Sequence, residues 1–133
     1  MHILTFVILM VISFHSLACS CVYYKEEDFS SRADQIALVK ILKTELLEAP
    51  NPVYSKVKVS FEIIEMFKHP NIPYEYAYTF SGTNGCSVHT FPGQEYIMYL
   101  SEDQWFGKCN GTEIAYSYRG EELLKKFRSN EAD

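Results

Sequence analysis

The sequence predicts a small, mainly β domain that closes as a barrel and carries one or two flanking helices. Three observations lead there. The chain has 133 residues with 47% hydrophobic content, which is one domain's worth of core-forming sequence. Ten Tyr and nine Phe stand against one Trp, a balance that favours sheet over a helix bundle. Short runs of alternating apolar and polar residues recur between Pro and Gly punctuation, the spacing of strands in a small barrel.

The elements follow in chain order. Lys25-Glu26-Glu27-Asp28-Phe29-Ser30-Ser31-Arg32 is polar and suits a short helix or a turn. The stretch from Ile36 to Leu47 is ambiguous. Leu38, Ile41, Leu42, Glu45 and Leu46 fit a helix, whereas Ile36-Ala37-Leu38-Val39 with Ile41 fits a buried strand. Val57, Val59, Phe61 and Ile63 alternate with Lys56, Lys58, Ser60 and Glu62, which predicts a strand with one face buried. Pro50 and Pro52 precede it, and Pro70 and Pro73 follow it. Tyr74, Tyr76, Tyr78 and Phe80 alternate with Glu75, Ala77 and Thr79, a second strand whose aromatic face is expected to pack into the core. Gly82-Thr83-Asn84-Gly85 turns the chain into Cys86, and Pro92-Gly93 leads into a third strand, Glu95 to Leu100. The tail from Gly120 to Arg128 places acids first and bases last, the order that a helix dipole favours.

Residues 1–18 have a different character. They hold no Asp, Glu, Lys or Arg, and Ile3 to Ile12 is apolar apart from Thr5. The run is shorter than the roughly 20 residues that a membrane-spanning helix needs. It reads as a signal peptide, with Ser16 and Ala18 as the small residues before the cleavage point. Residues 19–133 are then a single secreted, extracellular domain beginning at Cys19. The alternative is a bacterial chain, periplasmic or lipid-anchored through Cys19.

Four cysteines, Cys19, Cys21, Cys86 and Cys109, permit three pairings. A Cys19–Cys21 bridge would span one residue, where the preferred Cα separation is hard to reach. Both N-terminal cysteines are therefore expected to bridge to Cys86 and Cys109, in either order. A terminus riveted to its domain is unusual, because free ends normally fray.

Cys19-Ser20-Cys21-Val22 at the cleavage point resembles the start of the tissue inhibitors of metalloproteinases. The likeness continues through Phe61 to Lys68, Thr83-Asn84-Gly85-Cys86-Ser87-Val88 and Gly93 to Met98. The resemblance implies an OB-fold-like five-stranded barrel of the netrin-like kind, with pairings Cys19–Cys86 and Cys21–Cys109. The chain has no cysteines for the family's third disulfide, and Tyr23 stands where the family commonly has Pro.

A catalytic zinc holds three protein ligands and keeps one position for water. The resemblance implies that the α-amine and carbonyl of Cys19 chelate such a zinc in a partner protease and displace that water. Ser20 would enter the first primed-side pocket, and Cys21 and Val22 would lie along the cleft. Cys86, Ser87 and Val88 would extend the contact ridge. The zinc belongs to the protease, so the chain needs no cofactor of its own, and it acts as a monomer. The alternative is an exported netrin-like binding module that inhibits nothing.

The remaining features are read more plainly. A net charge of −5 without a basic run is a poor match to a phosphate backbone, so no nucleic-acid partner is expected. His69 and His89 have no metal-ligand spacing near them. Asn110-Gly111-Thr112 fits an N-glycosylation acceptor. No paired acid/base motif, nucleophile elbow or phosphate loop is present, so the chain is not expected to be an enzyme, nor to insert stably in a membrane.

Overall fold

The computed structural model describes residue 21 and residues 26–47, 55–81 and 87–130. Helix α1 (Glu26–Arg32) leads into β1 (Gln35–Leu46), β2 (Ser55–Lys68), β3 (Tyr76–Ser81) and β4 (Glu95–Leu100). A single 3-10 turn (Lys108–Asn110), the short β5 (Glu113–Ile114) and helix α2 (Tyr118–Asn130) complete the order. The strands form one antiparallel sheet in the order β3-β2-β1-β4-β5. The sheet curls, and residues 104–106 lie against the free side of β3. There the Tyr78 N–H donates to the Gln104 carbonyl (2.8 Å) and the Phe106 N–H donates to the Tyr78 carbonyl (2.9 Å), a parallel bridge. The result is mainly β, an OB-fold-like half-barrel with two flanking helices.

The stretch that the sequence left ambiguous is strand β1. Its first half is buried on both faces, which is why its pattern is a continuous apolar run rather than an alternation. Ala37, Val39 and Ile41 face the barrel interior with Val59, Phe61, Ala77, Tyr96 and Met98. Ile36 and Leu38 face the other way, onto Ile97, Tyr99, Ala115, Leu123 and Leu124, where α2 covers the sheet. β4 is sandwiched in the same manner. One sheet thus carries two cores.

On β2 the inward alternation of Val57, Val59, Phe61 and Ile63 is present as predicted. The strand continues further because Ile64 is an extra residue: Val39 pairs with Ile63 and Leu38 with Glu65. This bulge leaves Ile64 exposed and returns Met66 to the core. At Phe91-Pro92-Gly93-Gln94 the chain makes a turn closed by the Gln94 N–H to the Phe91 carbonyl (3.1 Å), with Gly93 at φ 86°. That left-handed value is one that Gly adopts without steric cost.

On β3 the alternation holds but the inward side is the opposite of the expected one. Ala77 (0% exposed) and Thr79 (2%) point into the barrel, while Tyr76 (36%) and Phe80 (43%) face solvent. The small side chains Ala77 and Thr79 take the inward positions beside Val59 and Phe61, and the rings take the outward ones. Of the expected aromatic stripe, Tyr74, just before β3, packs against the core, whereas Tyr76, Tyr78 and Phe80 lie on the outer face.

Among the described residues no helix is long and apolar enough to cross a membrane. The signal-peptide reading, the Gly82–Gly85 turn, Cys19, Ser20, Val22 and Cys86 lie outside the described residues.

Candidate functional site

The expected site centres on the bridged N-terminus, and its described part is the Cys21–Cys109 disulfide, with a Cα–Cα separation of 5.2 Å. It ties Cys21 to the 3-10 turn after β4, across 88 residues of sequence. Two glycines bracket that turn. Gly111 has φ 93°, and a Cβ there would lie 2.9 Å from Cγ of Phe29, so conformation and space both demand Gly.

Asn110 holds the turn in place. Its Nδ2 donates to the carbonyls of Tyr99 (2.9 Å) and Trp105 (3.0 Å). Its Oδ1 accepts from the N–H groups of Gly107 (3.3 Å) and Thr112 (3.2 Å). All four hydrogen-bonding positions of the amide are thereby used. A glycan attaches at Nδ2 and takes one of its protons. The fold therefore uses the sequon nitrogen as an internal donor to two carbonyls, and a glycan there would leave it a single proton. The signal for this role was in the sequence: Gly107 and Gly111 flank Lys-Cys-Asn at the spacing of a tight turn.

Of the expected ridge, Ser87 is buried at 6% exposure and Val88 packs, half-buried, against the barrel core. Their side chains serve the fold. Next to them the Tyr96 hydroxyl donates to the His89 carbonyl and sits against the Gln94 side chain. Burial pushes the Tyr96 phenol above its ordinary value. His69 and His89 are both exposed, and among the described residues no three His, Cys, Asp or Glu are placed to hold a metal.

The outer face of β2 and β3 carries a feature that sequence reasoning assigned to the core. Lys56 pairs with Phe80 and Lys58 with Tyr78, so the lysines and rings share one face. Lys56 Nζ lies 3.6 Å from the centroid of the Tyr78 ring, and Lys58 Nζ 4.3 Å from that of Tyr76. Such contacts contribute about 0.5–1 kcal/mol each at exposed sites. Trp105 stacks on Phe80 with centroids 4.5 Å apart. Phe80 and Trp105 also wall a cleft of about 410 Å³, closed by Phe29, Tyr99, Phe106 and Asn110, with Arg32, Ser101 and Asp103 along it.

No protein-family model matches this chain, and no curated protein matches it.

Proposed function

We propose that this chain is an exported, netrin-like inhibitor of zinc metalloproteinases, built on the plan of the tissue inhibitors. In this reading the α-amine and carbonyl of a mature Cys19 chelate the protease zinc and displace its water. Ser20 enters the adjoining pocket, and Cys21 and Val22 run along the cleft. The observation that supports it is the Cys21–Cys109 bridge, which fastens the residue two places after Cys19 to the turn organised by Asn110. A chelate anchored in this way before encounter loses little ordering entropy on binding. With Ser87 buried and Val88 packed inward, the side-chain ridge narrows to residues 19–22.

The test is an inhibition assay on a panel of zinc metalloproteinases, using a chain that begins at Cys19, with Ser20→Gly and Ser20→Arg alongside. Ser20 is small and fills no pocket, so the wild type should inhibit broadly. Ser20→Arg should lose at least tenfold against enzymes with a narrow pocket, and both variants should melt like wild type. Absence of inhibition across the panel, or three identical profiles, would contradict the reading.

The alternative, an exported netrin-like binding module without inhibitory activity, draws on a different observation: the aromatic face on β2 and β3.

A further inference from the structure

Strand β1 has an open edge over its second half. Its pairing with β4 ends at Lys40 opposite Glu95. A last contact follows at Ile41, whose N–H donates to the Gln94 carbonyl (2.9 Å) and whose carbonyl accepts from the Gly93 N–H (2.8 Å). Leu42 is then an extra residue, because Ile41 pairs with Phe61 and Lys43 with Ser60. Such a bulge changes which residues aim their backbone groups at which neighbour. Beyond it the Leu47 N–H donates to the carbonyl of Lys56, directly opposite (2.8 Å). By alternation Lys43 and Glu45 bond to β2, and Thr44 and Leu46 point their N–H and C=O groups away from it. Among the described residues nothing takes those groups up.

Natural sheets blunt such an edge with charge, above all with lysine. Here the charge is cancelled locally: Lys43 Nζ lies 2.9 Å from Glu45 Oε1 on the same face of the strand. Leu42 (53% exposed) and Leu46 (68%) flank the pair. Leu42-Lys43-Thr44-Glu45-Leu46 is symmetric about Thr44 except that its two charges are of opposite sign. That is the pattern a two-fold, antiparallel contact between identical strands needs, since each residue then meets its mirror position.

Charge also selects the register. Thr44 and Leu46 carry the outward backbone groups, so the two-fold can sit on Thr44, Glu45 or Leu46. Centring on Glu45 sets two like charges directly opposite each other, which is destabilising. Centring on Leu46 sets Glu45 opposite Leu47. Centring on Thr44 sets Lys43 opposite Glu45 of the second copy and Glu45 opposite its Lys43, with Leu46 opposite its Leu42. The two Thr44 residues then exchange both of their backbone hydrogen bonds.

We propose that two copies of this chain associate antiparallel along residues 42–46 of β1, with Thr44 on the two-fold axis. The two curled sheets become one, and the lysines and glutamates of the two copies alternate in sign on its outer face. Five residues a side is less than a standard interface, so the association is weak and the chain is a monomer in dilute solution. This proposal does not depend on protease inhibition.

The experiment follows sedimentation velocity of the exported chain from about 10 to 500 µM, with amide hydrogen exchange at both ends of that range. Wild type should shift from monomer to dimer as concentration rises, and the Thr44 amide should gain protection with it. Lys43→Glu and Glu45→Lys each set like charges face to face. Each alone should weaken dimerisation tenfold or more, with circular dichroism unchanged. Mixed in equal amounts, the two variants present opposite charges to each other, and dimer should return to within threefold of wild type. A chain that stays monomeric throughout, a dimer that neither variant weakens, no recovery on mixing, or a dimer that leaves the Thr44 amide unprotected would overturn the proposal. Protection that appears only on adding a zinc metalloproteinase would overturn it too, by giving the edge to that partner.

Discussion

Asn110 organises the end of the barrel with an amide whose two protons and two acceptor positions are all engaged. Asn110→Asp keeps the shape and Oδ1 but points a second oxygen at the carbonyls of Tyr99 and Trp105. Leaving buried acceptors unsatisfied costs about 1–3 kcal/mol, and urea unfolding should show a loss of that order. An unchanged midpoint would mean that the turn is held by the disulfide instead. Mass spectrometry of exported, folded protein should find Asn110 unmodified. Tyr96 gives a pH-dependent prediction. Its hydroxyl is hydrogen-bonded beside the core, and burial holds its folded-state pKa above the unfolded value. That contribution is fully present below the ordinary tyrosine range near ~10 and is lost as pH rises through the folded value. Stability should therefore fall in strong alkali, and Tyr96→Phe should flatten this fall while costing about 1 kcal/mol at neutral pH from the lost hydrogen bond. An alkaline fall of the same size in Tyr96→Phe would assign the effect to other tyrosines.

At the scale of elements, α2 is positioned by a close approach that its sequence does not advertise. Gly120 lies in its first turn, and a Cβ there would stand 2.1 Å from the Ile114 carbonyl oxygen and 2.7 Å from that of Ala115. Gly120→Ala raises helix propensity by about 1 kcal/mol. The backbone clash outweighs this, because α2 must move off Ile97, Tyr99 and Ala115 to relieve it. Urea unfolding should show Gly120→Ala less stable by about 1–3 kcal/mol, the usual cost of overpacking; a more stable variant would mean that the helix is free to shift. The Glu65–Arg128 bidentate pair and the Phe67–Phe127 stack hold the far end of α2. Legibility at this scale followed from physics. β2 and β4 were readable because alternation or continuous apolarity bounded by Pro and Gly has few interpretations, and α2 because its charges follow the dipole. β1 was not decidable, because burial on both faces erases the period that separates helix from strand. β3 was readable as a strand, but its inward face was not: a period of two does not say which side faces the core. The Cys21–Cys109 bridge was legible in the cysteines, whereas the structural role of Asn110 was not. Its sequon is local, whereas the carbonyls that it serves are positioned by the fold.

For the molecule as a whole, the Cys21–Cys109 bridge closes a loop with a separation of 88 residues, which in the chain-entropy picture contributes about 4–5 kcal/mol. A half-barrel whose sheet carries two small cores gains much from such a constraint. In the proposed inhibitor the same covalent frame would present a metal-chelating amine. An α-amine offers its lone pair only when unprotonated, and it titrates near ~7.7–8.0 when unperturbed. Zinc competes with the proton, so affinity for the protease should fall as pH drops below that range. One added residue converts the amine to an amide, a poor donor, without altering the bridges or the barrel. The decisive measurement compares a chain beginning at Cys19 with one carrying a single extra Ala before it, both matched in melting temperature, for inhibition of a zinc metalloproteinase. Inhibition by the first and a loss of at least a hundredfold in the second are expected. Equal inhibition by the two would contradict chelation by Cys19.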